Sequence, residues 1–169
     1  TLFLRMKLAL WVAVGIPVAF LGAVSTMTYT GMTINMMTLF SFILVLGIVV
    51  DDAIVVAERI HYRQEKFGDG LKGAIVGTQE VAMPVIFGVM TTIAAFTPFM
   101  MVPGMMGNFT RAIPLIVIPV LLFSVVESQL VLPYHLSHNA PKPRAEHPYL
   151  VVRVWNGFFD GVADLLDWF

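Results

Sequence analysis

Charge is scarce in this chain. Of its 169 residues, 12% are Asp, Glu, Lys or Arg, whereas a soluble domain of this length carries about 25%. Cysteine is absent, which excludes a disulfide framework, a zinc knuckle and a thiol nucleophile. There is no phosphate loop, no nucleophile–base constellation and no basic patch for a nucleic acid. The net charge of −1 says nothing of a charged partner, because the charges mark loops. What is present is apolar: 58% of residues are hydrophobic and the mean hydropathy is +0.84. Such a composition reads as an integral membrane protein. The ends, "TLFLRMK" and "LLDWF", are apolar and abrupt, so we expect the chain to be part of a longer polypeptide.

Four stretches are long enough to cross ~30 Å of hydrocarbon, which takes roughly 20 helical residues. They are residues 8–29, 34–57, 81–102 and 112–134. None alternates as a barrel strand does, so all should be helices. Residues 1–7 read as the cytoplasmic end of a preceding helix, 58–80 as a cytoplasmic loop and 135–148 as a polar linker. Nine of the ten Lys/Arg residues fall on one side of this arrangement, and only Arg111 falls on the other. The positive-inside rule then puts both ends in the cytoplasm, with "TYTGMT" and "MVPGMMGNFT" outside. Residues 149–169 repeat apolar side chains with helical period, while Asp160, Asp164 and Asp167 mark the opposite side. We expect an interfacial amphipathic helix, docked on the protein's own helix ends with Trp155 and Trp168 at headgroup level. The fold class is an all-α membrane protein of four transmembrane helices and one interfacial helix, with the lipid bilayer as its surroundings.

Three acids lie inside the spans: Asp51, Asp52 and Glu127. Ionisable groups at that depth are costly and face a bundle interior or a hydrated cavity. Asp51 and Asp52 diverge by ~100° around a helix, so they cannot face one neighbour. Both are shielded only where protein surrounds their helix on most sides, and Gly47, Ala53 and Ala57 are small enough for close approach. Burial and mutual repulsion disfavour a doubly ionised pair, which therefore titrates as a unit. A single buried Asp could simply bridge helices. Two adjacent ones, with no basic residue in any of the four spans, point to a proton-binding site whose cation lies outside residues 1–169. Glu127 has two open readings: a protonated acid bonded between helices, or part of a proton route. Ser41, Thr91 and Thr92 could be helix–helix glue or relay groups. His135 and His138, three residues apart, lack an acidic or Cys companion at ligand spacing, and His61 and His147 also fall on the cytoplasmic side, so interfacial histidines rather than a metal site are expected. Asn108 opens an "NFT" glycosylation sequon, a pattern that is common by chance.

The run "GMTINMMTLFSFILVLGIVVDDAIVVAERI" resembles the fourth transmembrane helix of the resistance-nodulation-division (RND) exporters, drug and hydrophobe/amphiphile branch. Its hallmark is an aspartate pair followed by A-I-V-V and an acidic residue, here Asp51, Asp52 and Glu58. "LFLRMKLALWVAVGIPVAFLGA" resembles the end of that family's second helix, the turn and the third helix. The stretches from Val81 and Ala112 resemble the fifth and sixth, and the C-terminal segment resembles the cytoplasmic helix. The resemblance implies a part of a twelve-helix, proton-driven efflux permease that exports drugs or other amphiphiles. It is a secondary transporter rather than an enzyme, with protons as coupling ion and no cofactor or metal. Asp51 and Asp52 would be the proton relay, paired with a Lys-bearing helix of the other half. Glu127 is not a general hallmark of that relay. A bacterial inner-membrane homotrimer is implied, with a periplasmic adaptor and an outer-membrane channel as partners and no nucleic acid. Cation export is disfavoured by the plain D-D-A-I pattern. The alternative is a related module that does not export drugs, such as a protein-export accessory or a sterol-sensing-type domain.

Overall fold

The structure, a computed structural model, describes residues 2–138. Residue 1 and residues 139–169, which hold most of the expected linker 135–148 and the whole expected interfacial helix 149–169, lie outside the described residues. Helix α1 (Leu2–Thr30) is followed by α2 (Met36–Phe67) and α3 (Gly70–Phe96). A 3-10 turn (Thr97–Met101) and the short α4 (Gly104–Thr110) lead into α5 (Ala112–Val126). A π turn (Glu127–Val131) joins α5 to α6 (Leu132–Ser137). Four runs are long and apolar enough to cross a membrane: Leu8–Thr30, Met36–Phe67, Gly70–Met101 and Gly104–Ser137. Among the described residues there is no strand, and the chain is an all-α, multi-pass membrane protein.

Two segments differ from the sequence expectation. Residues 2–7, expected to end a preceding helix, form the first turns of α1, because this stretch contains no Pro or Gly to break it. The expected loop at 58–80 is helical except at its middle. Gly68 takes the left-handed conformation (φ 65°) that ends α2, and its N–H donates to the Gln64 carbonyl. The Asp69 side chain then accepts from the Lys72 N–H and starts α3. Two residues therefore suffice to reverse the chain.

The other end of α2 is closed by a capping box. Asn35 accepts from Met37 and Thr38 N–H at 2.9 and 3.1 Å, and its own N–H donates to Thr38 Oγ1 at 2.8 Å. Replacing Asn35 with Ala should cost about 1 kcal/mol. The thermal midpoint of the full-length protein measures it, and an unchanged midpoint would show that the cap contributes nothing.

Glycines set the helix spacing. A Cβ added at Gly73 would lie 2.6 Å from Gln64 Cα, and one at Gly77 2.7 Å from Ile60 Cα, so α3 touches the backbone of α2. On α1, Gly22 takes the Phe123 ring, 2.7 Å from where its Cβ would be, and Gly15 takes the Glu127 carboxyl. These notches fix antiparallel registers for α2 on α3 and for α1 on α5. Of the most apolar windows, 44% is buried in the Gly104–Ser137 run and 11% in Gly70–Met101, so the last run is central and α3 is at the edge. At the turn end of α2 and α3, Arg59 Nε donates to Glu80 Oε2 at 2.6 Å. Arg63 grips both oxygens of the same carboxylate.

The π turn has a local cause. Pro133 lacks an N–H and its ring crowds the carbonyl four residues back, so α5 cannot run straight into α6. The helix widens instead, and the Leu132 N–H reaches the Glu127 carbonyl.

Candidate functional site

Helix α2 holds both aspartates, and the structure separates their surroundings. Asp51 lies on an exposed stripe with Phe40, Ile43, Gly47, Ile54 and Glu58, spaced three or four residues apart along one face. Gly47 stands one turn before Asp51, and a Cβ added there would meet nothing within 4 Å. Asp52 sits at the border of the packed face, half-buried. Its Oδ2 is shut off from the surface and receives no hydrogen bond from the described residues. An unmet buried acceptor costs about 1–3 kcal/mol. The α2–α3 register, fixed by Ile60 on Gly77 and Gln64 on Gly73, places Asp52 level with Val85.

The expectation that protein surrounds this helix on most sides is met on one side only. Ala53 and Ala57 are 2% and 3% exposed and form the packed face, as small residues at a close approach should. Gly47 points the other way, toward the open stripe. This chain therefore shields one side of the pair and leaves Asp51 facing outward.

Glu127 is not gathered to the aspartates. It is 6% exposed and its carboxyl fills the Gly15 notch. Phe20 meets Phe42 across α1 and α2 at 5.3 Å between ring centroids. By that register Gly15, and with it Glu127, is at about the height of Gly47, roughly one helical turn from Asp51. The remaining polar candidates are turned to their own helices. Ser41 donates to Met37 O at 2.7 Å, Thr91 to Phe87 O at 2.8 Å and Thr92 to Gly88 O at 3.0 Å. His138 Nδ1 lies 3.1 Å from Tyr134 O. Among the described residues no three His, Cys, Asp or Glu side chains converge as metal ligands would.

Gln64 is the residue that sequence reasoning passed over. It is 2% exposed, and its Nε2 donates to Gly70 O at 3.0 Å and Leu136 O at 2.9 Å. One amide thus ties α2, α3 and α6 together below the aspartates. The one available signal was the spacing of four between Gly73 and Gly77, which marks a close helix contact.

A bundle of apolar helices, notched by glycines, with a carboxyl pair on a half-open helix and a buried carboxyl on the last run, defines a polytopic membrane protein of the transporter kind. The chain belongs to the AcrB/AcrD/AcrF family, whose sequence profile matches residues 1–164. This agrees with the resemblance to the RND superfamily. It is 34% identical over 140 residues to an "Uncharacterized transporter" of Haemophilus influenzae, covering 82% of this chain and 13% of that protein. It is 31% identical over 148 residues to "Multidrug resistance protein MdtC" of Escherichia coli O139:H28, covering 86% of this chain and 14% of the relative. To the MdtC of Salmonella paratyphi B it is 36% identical over 111 residues, 65% of this chain and 11% of that one. The chain thus spans about one seventh of the length of these relatives.

Proposed function

We propose that the chain is the proton-translocating membrane part of a proton-driven efflux permease, a substrate/proton antiporter exporting drugs or other amphiphiles. The observation that carries this reading is the divided environment of the aspartates. Asp51 faces out beside the open Gly47 notch, while the Asp52 Oδ2 is buried without a hydrogen bond from the described residues. A carboxyl pair placed so has one oxygen that gains from a proton and one side chain presented to a partner. A basic side chain on a helix of the other half of the permease is that partner. Protonating the pair weakens the attraction, and the difference between the two states biases a helix rearrangement. Protons enter from the periplasmic side and leave to the cytoplasm, in the orientation that the distribution of Lys and Arg supports. The multidrug relative supports an exporter of amphiphiles, and the inner membrane, the trimer, the adaptor and the outer-membrane channel belong to the same reading.

The test is efflux driven by a proton gradient, measured on the full-length protein reconstituted in vesicles. Asp51→Asn should reduce coupled transport to the level of empty vesicles, because Asn keeps the shape and cannot carry the proton. Transport at the native rate by Asp51→Asn sinks the assignment.

A further inference from the structure

A basic cluster lies beside the turn that joins α2 and α3. Arg59, Arg63 and Lys66 follow one another at spacings of four and three along one stripe of α2, and Lys72 stands on the first turn of α3. Among the described residues a single carboxylate, Glu80, serves both arginines. Arg59 Nε donates to Oε2 at 2.6 Å and Arg63 Nε to the same oxygen at 2.8 Å, while Arg63 Nη2 takes Oε1. Both Nη groups of Arg59 and the Nη1 of Arg63 have no acceptor among the described residues. Two rings brace the cations: Arg59 and Arg63 Cζ lie 5.3 and 5.6 Å from the Tyr62 centroid, and Lys72 Nζ lies 5.1 Å from that of Phe67. The other acids here are engaged elsewhere. Glu58 is on the stripe with Asp51, Glu65 faces His61 at 3.6 Å, and Asp69 caps α3 through the Lys72 N–H. Even with Asp69 and Glu80 set against the four cations, two positive charges are in excess.

The arginines point inward. Long basic side chains at the end of a membrane helix reach outward to water. Gly73 packs on Gln64 and Gly77 on Ile60, so Glu80 stands level with about Ala57. Arg63, more than one helical turn nearer the chain reversal, therefore reaches back toward the hydrocarbon to meet it. Beyond Glu80 in that direction the same faces are apolar. Val55 is one turn from Arg59, and Met83 and Phe87 follow Glu80 at three and seven residues; they are 49%, 60% and 63% exposed. Spare guanidinium N–H groups suit a phosphate. A soluble anion would gain nothing from the apolar path beside them, whereas a lipid would use both.

We propose that Arg59, Arg63, Lys66 and Lys72, ordered by Glu80, bind the phosphate diester of an anionic phospholipid in the leaflet at the α2–α3 turn. Its acyl chains lie along Val55, Met83 and Phe87, and Tyr62 stands at headgroup level. By the distribution of Lys and Arg that leaflet is the cytoplasmic one. The site goes beyond proton coupling, since neither Asp51 nor Asp52 has a part in it.

Native mass spectrometry of the full-length protein in detergent, titrated with phosphatidylglycerol or phosphatidylcholine, tests this. Phosphatidylglycerol should bind more tightly, and Arg59→Gln combined with Arg63→Gln should weaken it more than ~10-fold, about five-fold for each charge removed. Arg111→Gln, at the other end of the helices, should leave it unchanged. If the arginine variant does not fold, Lys66→Gln combined with Lys72→Gln, both exposed, takes its place with the same expected loss. Equal binding of the two lipids overturns the proposal. So does phosphatidylglycerol binding that is unchanged in the charge variants, the result expected if another part of the permease covers this face.

Discussion

Replacing Gly77 with leucine is expected to force α2 and α3 apart and to destabilise the full-length protein by about 3 kcal/mol or more. Two effects oppose each other here. Leucine or alanine gains roughly 1 kcal/mol of helix propensity over glycine. Against that, a Cβ at 77 lies 2.7 Å from Ile60 Cα and 2.9 Å from the Arg59 carbonyl oxygen. Both are backbone atoms, which cannot turn aside as the end of a side chain can, so α3 itself must move. The overlap wins, and leucine adds three more carbons to it. Gly88, on the same helix, has nothing within 4 Å of its Cβ position. Gly88→Ala should therefore keep the propensity gain and leave stability unchanged or slightly raised. Thermal unfolding of the purified protein in detergent measures both, and equal midpoints for Gly77→Leu and Gly88→Ala would show that the close contact is not real.

Gln64→Leu should cost about 1–3 kcal/mol, most of it from lost hydrogen bonds to carbonyls rather than from packing. Leucine nearly conserves the volume, so little cavity forms. It removes the second donor to Gly70 O and Leu136 O, each a lost hydrogen bond of about 0.5–1.5 kcal/mol. Leu136 O, at the end of α6, keeps only the His138 N–H as a partner among the described residues, outside the regular helical ladder. The same substitution frees α6 from the α2–α3 turn, so hydrogen exchange at 132–137 should accelerate along with the fall in thermal midpoint. Unchanged exchange there would show that Gln64 holds nothing. Because Gly73 packs on Gln64 itself, changes at these two positions should combine non-additively.

Much of the architecture is legible without coordinates. The apolar runs around Pro17, Pro84 and Pro119 could only be membrane helices, and the aspartates at 51 and 52 stood out because no cation shares their spans. That they diverge follows from helix geometry alone, and the structure adds which of them faces outward. Other parts left no local trace. The donor to Leu136 O is 72 residues away, and the notch that receives Glu127 is on the first helix. Gly47 looked like a packing residue by its size, but it lies on the open stripe, because glycine marks a close approach only where a partner comes.

Composition and the distribution of charge determined that this chain is a multi-pass helical membrane protein carrying a carboxyl pair within one span. Those quantities suffice because lipid is a nearly uniform solvent: a run of apolar residues enters it whatever its neighbours are. The tertiary structure alone decided which helix is central, which aspartate is half-buried, and that Glu127 meets Gly15. The reason is the same uniformity. Lipid tails are as apolar as a core, so Leu, Ile and Phe stand on exposed and packed faces alike, and hydrophobic periodicity does not tell them apart. What selects the contacts is the interlock of small notches with particular side chains, and that exists only once the helices are side by side.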